Sequence, residues 1–189
     1  MTEADEIKLA REVIQEFEKC HLTSYVVPRE SWATIGWGTA IPMKDHPKKI
    51  TQDEADHLLE NGIASRQKMI LTRVPAVVLG KMTPFDKAHL LSWAYNTKGW
   101  ETMGAFLKLC AGDLNEFRRR SLLYVHGEGN VIMAGLVRRR ACEYHMARRS
   151  SLAEVKKLDW YNEIISPVNK YPVGRLGWDT PHQKLIWLH

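Results

Sequence analysis

The segment FEKCHLTSYVVPRESWATIGWGT, residues 17–39, contains the sharpest change of pattern in the chain. It opens where a helical pattern ends, and Glu18 is the acid at that end. Two β-prone pieces follow, residues 25–27 and residues 32–38, and two glycines in the second piece indicate close backbone approach or unusual torsion angles. This order predicts a helix that leads into a small hairpin or three-stranded sheet, with the hydroxyl group of Thr34 on the returning strand.

Helical periodicity flanks this segment on both sides. Upstream, one apolar face recurs every three or four positions and consists of Ile7, Ala10, Val13, Ile14 and Phe17. Downstream, Thr51 and Glu54 have the spacing of a capping box, which predicts the start of a helix. That helix would run to about Val74 and span about 30 Å, enough to link two lobes.

A second capping box is predicted at Thr83 and Asp86. The helix that follows includes residues 90–96, which are largely apolar on all sides, so we expect it to be central and buried. Further on, Gly112 fits the end of one helix and Asp113 fits the N-cap of the next. The chain is therefore predicted to be mainly helical, with its β-structure confined to the segment before Thr51.

Composition limits the kind of protein without identifying it. The 189 residues can form one sizeable core, and the apolar and charged fractions, 44% and 26%, are those of an ordinary soluble protein. A net charge of +5 favours an acidic partner such as nucleic acid, anionic lipid or bacterial cell wall. Cys20, Cys110 and Cys142 lie far apart without metal-site spacing, so we expect reduced thiols and no structural metal.

The first residues of the chain carry no targeting signal of a known type. Residues 1–13 are charged and lack the apolar segment of a signal peptide. No apolar run in the sequence is long enough to span a membrane. We therefore expect a protein made in the cytoplasm, without an export signal of its own and without stable membrane insertion.

The segment 17–39 resembles the active-site segment of the phage-type lysozymes, or endolysins, of glycoside hydrolase family 24. In that family a helix ends in Glu-Gly, a tyrosine follows seven residues after the glutamate, and Thr-Ile-Gly-aromatic-Gly comes after a short turn. Glu18, Tyr25 and residues 34–38 reproduce this pattern in the same order.

Two later segments carry the same resemblance. LLSWAYNTKG, residues 90–99, follows the family pattern Ala-Leu-x-Ser-Phe-x-Phe-Asn-x-Gly with one extra residue before the glycine. GLVRRRACE, residues 135–143, matches Gly-Leu-x-x-Arg-Arg-x-x-Glu, which opens a helix in the family. The resemblance covers about residues 7–147.

The resemblance implies a mainly helical, two-lobed α+β fold like that of lysozyme, with a catalytic domain at 1–149. Its β-hairpin lobe would occupy about 19–50, a connecting helix about 51–74, and its helical lobe about 83–149. Residues 150–189 form an extension beyond the family core, rich in large aromatic residues: Trp160, Tyr161, Tyr171, Trp178 and Trp187. We expect the extension to pack on the core, and a sugar-stacking surface is the alternative.

The resemblance also implies an activity. The family cleaves the β-1,4 bond between N-acetylmuramic acid and N-acetylglucosamine in bacterial peptidoglycan, without a metal or an organic cofactor. It makes Glu18 the general acid and lets Thr34 hold the attacking water. The residues expected to contact the glycan are Tyr25, Trp37, Asn96 and Arg139. We therefore expect a monomeric, bacteriolytic endolysin that reaches the periplasmic cell wall from the host cytoplasm once the membrane is permeabilised.

One position departs from the family. Members carry aspartate, or in some cases cysteine, nine residues after the catalytic glutamate, and this sequence has Val27 there. The turn is also one residue longer than the family pattern, since Thr34 lies 16 positions after Glu18. Valine cannot orient a water molecule, so either Thr34 and solvent suffice or Glu30, the only acid in the turn, takes over.

Two alternatives follow from these features. The missing acid at Val27 favours a catalytically weak or inactive lysozyme fold that binds peptidoglycan or serves as a virion protein. A basic nucleic-acid-binding protein is the other, because arginines cluster at 118–120, 138–140 and 148–149. Such runs are more often solvated helix surface or internal salt bridges, and we expect nucleic acid not to be the ligand.

Overall fold

The computed structural model describes residues 3–27, 30–127, 132–148, 152–155 and 157. The elements follow one another as α1 (Glu3–Phe17), β1 (His21–Val26), β2 (Trp32–Gly36), β3 (Thr39–Pro42), α2 (Gln52–Arg73), α3 (Ala76–Leu79), α4 (Pro84–Asn96), α5 (Gly104–Cys110), α6 (Leu114–Ser121), α7 (Ala134–Ala147) and α8 (Leu152–Val155). The predicted mainly helical α+β class is confirmed. The predictions for the aromatic extension fall on residues 158–189, which lie outside the described residues.

Helix α4 is the centre of the helical lobe. Thr83 and Asp86 form the predicted capping box at its start, and most of its side chains are buried. Trp93 is fully buried and meets the rings of Phe117 and Tyr124 edge to face. Helices α1 and α7 both pack against α4 and also contact each other. The apolar face predicted for α1 supplies part of this core, because Ala10, Val13 and Ile14 are fully buried.

Helix α2 links the sheet to the helical lobe. The Thr51 side chain accepts the main-chain N–H of Glu54, and the Glu54 carboxylate accepts that of Thr51, so the predicted capping box is present. Its buried face consists of Ala55, Leu59, Ile63 and Ile70. At 22 residues the helix is about 33 Å long.

The predicted small sheet is antiparallel, with strand order β1-β2-β3. Tyr25 pairs with Thr34 across β1 and β2, and Ile35 pairs with Thr39 across β2 and β3. Gly38, in the turn between β2 and β3, has a φ of +92°, a conformation that residues with a Cβ rarely adopt. This turn lies beside the end of α1, which brings the sheet to the functional site.

The last helices complete the helical lobe. As predicted, Gly112 ends α5 with a φ of +86°, and the Asp113 side chain accepts the N–H of Glu116 to cap α6. Helix α7 packs against α4, α1 and α6 and buries several charged side chains. Among the described residues, no helix combines the length and apolarity needed to cross a membrane.

Candidate active site

Glu18 follows the last residue of α1. Its N–H donates to the carbonyl oxygen of Ile14 at 2.8 Å, so its backbone still follows the helix. The side chain is 24% exposed, between a buried helix face and an open groove. Helix geometry alone therefore places this carboxyl group at the edge of the core.

Two donors converge on one oxygen of Glu18. Arg139 of α7 donates from Nη1 to Oε1, and Asn96, the last residue of α4, donates from Nδ2 to the same atom at 3.3 Å. The amide of Asn96 is oriented by Arg140, whose Nη2 donates to Oδ1 at 2.7 Å. Because an arginine can only donate, Oδ1 must face Arg140 and Nδ2 must face Glu18.

A buried charge network holds Arg139 in place. Its Nε donates to Oε1 of Glu143 at 3.1 Å, and its Nη2 donates to the carbonyl oxygen of Ser92 at 3.1 Å. The hydroxyl group of Ser92 donates to the same Glu143 oxygen at 2.6 Å. The side chains of Arg139 and Glu143 are 2% and 0% exposed. Removal of Glu143 would take the fully buried counter-charge away from Arg139, which is costly.

Arg140 closes the network. Its Nη1 lies 3.0 Å from Oε2 of Glu143, an ion pair whose angles are not those of a directed hydrogen bond. Burial lowers the pKa of Arg140 to about 10, and the charge of Glu143 works in the opposite direction. Arg140 therefore keeps its charge at neutral pH. Glu143 therefore pairs with both arginines, and Arg139 is shared between Glu143 and Glu18.

The turn between β2 and β3 lies close to the other oxygen of Glu18. A Cβ on Gly38 would lie 3.7 Å from Oε2 of Glu18, so this oxygen faces the turn. Trp37 is anchored twice: its indole Nε1 donates to Asp56 of α2 at 2.7 Å, and its carbonyl oxygen accepts from Tyr95 of α4 at 2.9 Å. The two oxygens of Glu18 therefore have different surroundings.

The remaining predicted residues lie on the β-hairpin lobe. Tyr25 is 38% exposed, and Thr34, its partner in the ladder, is 9% exposed. Burial raises the pKa of Tyr25, and the charges of Glu18 and Glu30 raise it further, so both carboxylates act on its hydroxyl group. Val27 is 37% exposed, and the N–H of Glu30 donates to its carbonyl oxygen at 3.1 Å across the turn.

A groove passes Glu18 on the side of the helical lobe. One part, of about 400 Å³, is lined by residues that include Glu18, Asn96, Leu136 and Arg139. The second, of about 500 Å³, also borders on Asn96 and Leu136. The two parts are therefore adjacent, and both have polar groups along their walls.

The arginine clusters make many internal contacts. Arg118 pairs with Asp86, and Arg119 and Arg120 both pair with Glu116. Arg139 and Arg140 belong to the buried network, whereas the prediction for Arg149 lies outside the described residues. Within the described part of the chain, no group of three or more potential metal-ligating side chains is found.

The structure brings Glu18, Asn96 and Arg139 into direct contact. Arg139 is 1% exposed, so it supports Glu18 from beneath. The other predicted residues lie in the β-hairpin lobe and do not line either part of the groove: Tyr25, Glu30, Thr34 and Trp37. Sequence reasoning missed the buried network formed by Ser92, Arg140 and Glu143. The signal was present, because Glu143 lies three and four positions after the two arginines, the helical spacing of ion pairs.

Comparison with known proteins gives a consistent result. Residues 15–143 match the phage lysozyme family, and no curated protein matches the chain. The muramidase domain of SpmX from Asticaccaulis excentricus has a TM-score of 0.62 at 20% identity, covering 77% of this chain and 95% of that domain.

Two endolysin structures share the fold. The active form of the P1 phage endolysin Lyz has a TM-score of 0.57 at 18% identity, covering 75% of this chain and 84% of that one. The endolysin from Escherichia coli O157:H7 phage FAHEc1 has a TM-score of 0.56 at 20% identity, covering 78% and 92%. Since the family match spans more than half of the chain and includes both Glu18 and Glu143, the chain belongs to the phage lysozyme family.

Proposed function

We propose that the chain is an endolysin that hydrolyses the β-1,4 bond between N-acetylmuramic acid and N-acetylglucosamine in peptidoglycan and thereby lyses a bacterial host. One observation carries this proposal: the carboxyl group of Glu18 lies at the edge of a groove and is oriented by Arg139 and Asn96. The protein acts as a monomer on the periplasmic cell wall, after the inner membrane has been permeabilised.

Glu18 is the general acid in this proposal. The leaving sugar oxygen needs a proton, because an alkoxide is a poor leaving group. Oε1 of Glu18 already accepts from Arg139 and Asn96. The transferable proton is therefore carried by Oε2, which faces the turn at Gly38.

A water molecule must attack the sugar from the opposite face of the ring. We assign its orientation to the hydroxyl group of Thr34, and Glu30 is the second candidate. Val27, at the position of the family aspartate, has neither a donor nor an acceptor in its side chain. Tyr25 stands opposite Thr34 in the ladder and is open to solvent, which suits a residue that contacts glycan.

Mass spectrometry of digested peptidoglycan tests the bond and the outcome. Purified sacculi incubated with the protein are expected to release muropeptides with new reducing N-acetylmuramic acid ends. Anhydro ends would show a transglycosylase instead, and new N-acetylglucosamine ends would show that a different bond is cut.

The exposed Val27 favours a second candidate, a lysozyme fold that binds peptidoglycan without cutting it. Such a protein would sediment with sacculi and release no new reducing ends. Turnover by the wild-type chain that is lost in Glu18→Gln would exclude this candidate.

A further inference from the structure

Tyr95 joins α4 of the helical lobe to the turn of the β-hairpin lobe. Its hydroxyl group donates to the carbonyl oxygen of Trp37 at 2.9 Å. The side chain of Thr39 lies near the same phenol, where its effect is to lower the pKa of Tyr95. The hydroxyl group therefore holds the turn at Trp37 and lies beside Thr39.

This turn lies close to the carboxyl group of Glu18. A Cβ on Gly38 would lie 3.7 Å from Oε2 and 3.9 Å from the carboxyl carbon of Glu18. Burial raises the pKa of Tyr95, and the negative charge of Glu18 is the next cause of the increase. Tyr95, the turn and Glu18 are therefore close enough to act on one another.

The ring of Tyr95 is itself fixed. Gly62 of α2 lets the ring approach so closely that a Cβ there would lie 3.0 Å from Cε2 of Tyr95. The guanidinium group of Arg66 covers the ring at 5.4 Å from its centroid. Because the Tyr95 ring is held on its face by Arg66 and on its edge by α2, its hydroxyl group has a fixed position.

The hydroxyl group is not required for filling the core. Phenylalanine would occupy the same space without a donor for the carbonyl oxygen of Trp37. We propose that Tyr95 is a positioning residue for the reaction: its hydroxyl group holds the turn of residues 37–39 against Oε2 of Glu18. This role rests on the proposed lysozyme activity and adds to it a residue that does not touch the reacting atoms.

Tyr95→Phe removes only the hydroxyl group, and Tyr144→Phe is the matched control. Tyr144 is buried in α7, and its hydroxyl group accepts from Arg148 at 3.3 Å, away from the groove at Glu18. Three properties are measured for both variants and the wild type: the turnover of purified peptidoglycan, the thermal midpoint, and the amide hydrogen exchange of residues 36–40.

We expect Tyr95→Phe to lower kcat about fivefold to tenfold and to change KM less than about twofold. The reason is that the lost hydrogen bond positions the turn for the reaction and does not itself contact the glycan. Amide exchange at residues 36–40 is expected to accelerate in Tyr95→Phe only. The two variants are expected to lose similar thermal stability, so a general structural effect would lower kcat in both. Unchanged exchange in the turn, or normal kcat despite faster exchange, would overturn the proposal.

Failure of the proposed activity has a different signature. If the wild type releases no muropeptides, the hydrolase assignment is wrong. The role of Tyr95 in holding the turn is then tested by amide exchange in the turn and by binding to sacculi. Faster exchange together with weaker sedimentation of Tyr95→Phe would support a turn held for glycan binding. Equal sedimentation of Tyr95→Phe and wild type would overturn the role of Tyr95 in the site.

Discussion

The two oxygens of the Glu18 carboxyl group are not equivalent, and the cause lies in the core. Oε1 is occupied by Arg139 and Asn96, while Oε2 faces the turn at Gly38. Arg139 cannot swing away from Glu18 without also giving up its buried bonds to Glu143 and to the carbonyl oxygen of Ser92. Buried charged side chains therefore determine the orientation of the Glu18 carboxyl group.

The missing family aspartate leads to a prediction about two side chains. If the Thr34 hydroxyl group orients the water, Thr34→Val should lower kcat by about 10²- to 10⁴-fold, the usual cost of losing such a group. Glu30→Gln should then be nearly silent. The check is the turnover rate of both variants on purified peptidoglycan, with folding verified by thermal melting.

The opposite pattern would assign the water to Glu30. Normal turnover in both variants would leave Glu18 as the only side chain with a supported chemical role.

At the scale of elements, α2 and α4 approach closely at Gly62. This contact decides whether Gly62→Ala raises or lowers the free energy of unfolding. Replacing a mid-helix glycine by alanine ordinarily stabilises a helix by about 1 kcal/mol. Here the new Cβ would lie 3.0 Å from a ring that its hydroxyl bond and Arg66 hold in place. We therefore expect Gly62→Ala to lower the free energy of unfolding by about 1–3 kcal/mol.

Urea denaturation measures this change, and Asn61→Ala on the exposed side of α2 is the control, with an expected small gain. A Gly62→Ala protein more stable than the wild type would show that α4 can move away, and that the Tyr95 ring is not fixed.

His89 of α4, which is hydrogen-bonded to Ser121 of α6, makes the stability of the protein depend on pH. Burial, with the charges of Arg140 and Arg118, lowers the pKa of His89 from 6.5 to about 3. The unfolded chain therefore binds a proton at His89 at a higher pH than the folded chain does. The corresponding stability is complete above about pH 6.5 and declines as the pH falls towards about 3.

At pH 5 the free energy of unfolding is expected to be about 2 kcal/mol lower because of His89. This follows because pH 5 lies about 1.5 units below the ordinary histidine pKa of 6.5, and each unit corresponds to about 1.4 kcal/mol. Urea denaturation at pH 7 and pH 5 should show this difference in the wild type and a smaller one in His89→Gln. His57→Gln, at an exposed position of α2, should behave like the wild type. Equal pH dependence in His89→Gln and wild type would contradict the assignment.

At the scale of the whole molecule, the helices and the sheet could be predicted because their signals are local. The capping boxes at Thr51 and Thr83 fix helix starts within four residues of sequence, and Gly112 marks a helix end. The glycines in residues 34–38 predicted the close approach that the structure shows at Gly38. The role of Glu18 could also be predicted, because a family pattern extends over its neighbours.

The support beneath Glu18 could not be predicted in the same way. Ser92 and Glu143 are 51 positions apart, and charged residues are rarely buried unless paired, so the sequence alone favours a solvated position for Arg140. Arg139 was predicted to contact glycan, and the structure places it under Glu18, where its role in binding remains a prediction. Burial of this kind depends on which helices meet, which local patterns do not encode.

The central claim is that the carboxyl group of Glu18 donates the proton that releases the glycan. Glu18→Gln keeps the size of the side chain and removes the acid, so it tests the claim most directly. The measurement is the rate of new reducing ends on purified peptidoglycan, with Glu12→Gln, an exposed glutamate on α1, as the matched control. We predict that Glu18→Gln melts as a folded protein, still sediments with sacculi, and loses turnover by at least about 10²-fold, whereas Glu12→Gln is unchanged. Turnover of a folded Glu18→Gln protein at the wild-type rate would contradict the claim.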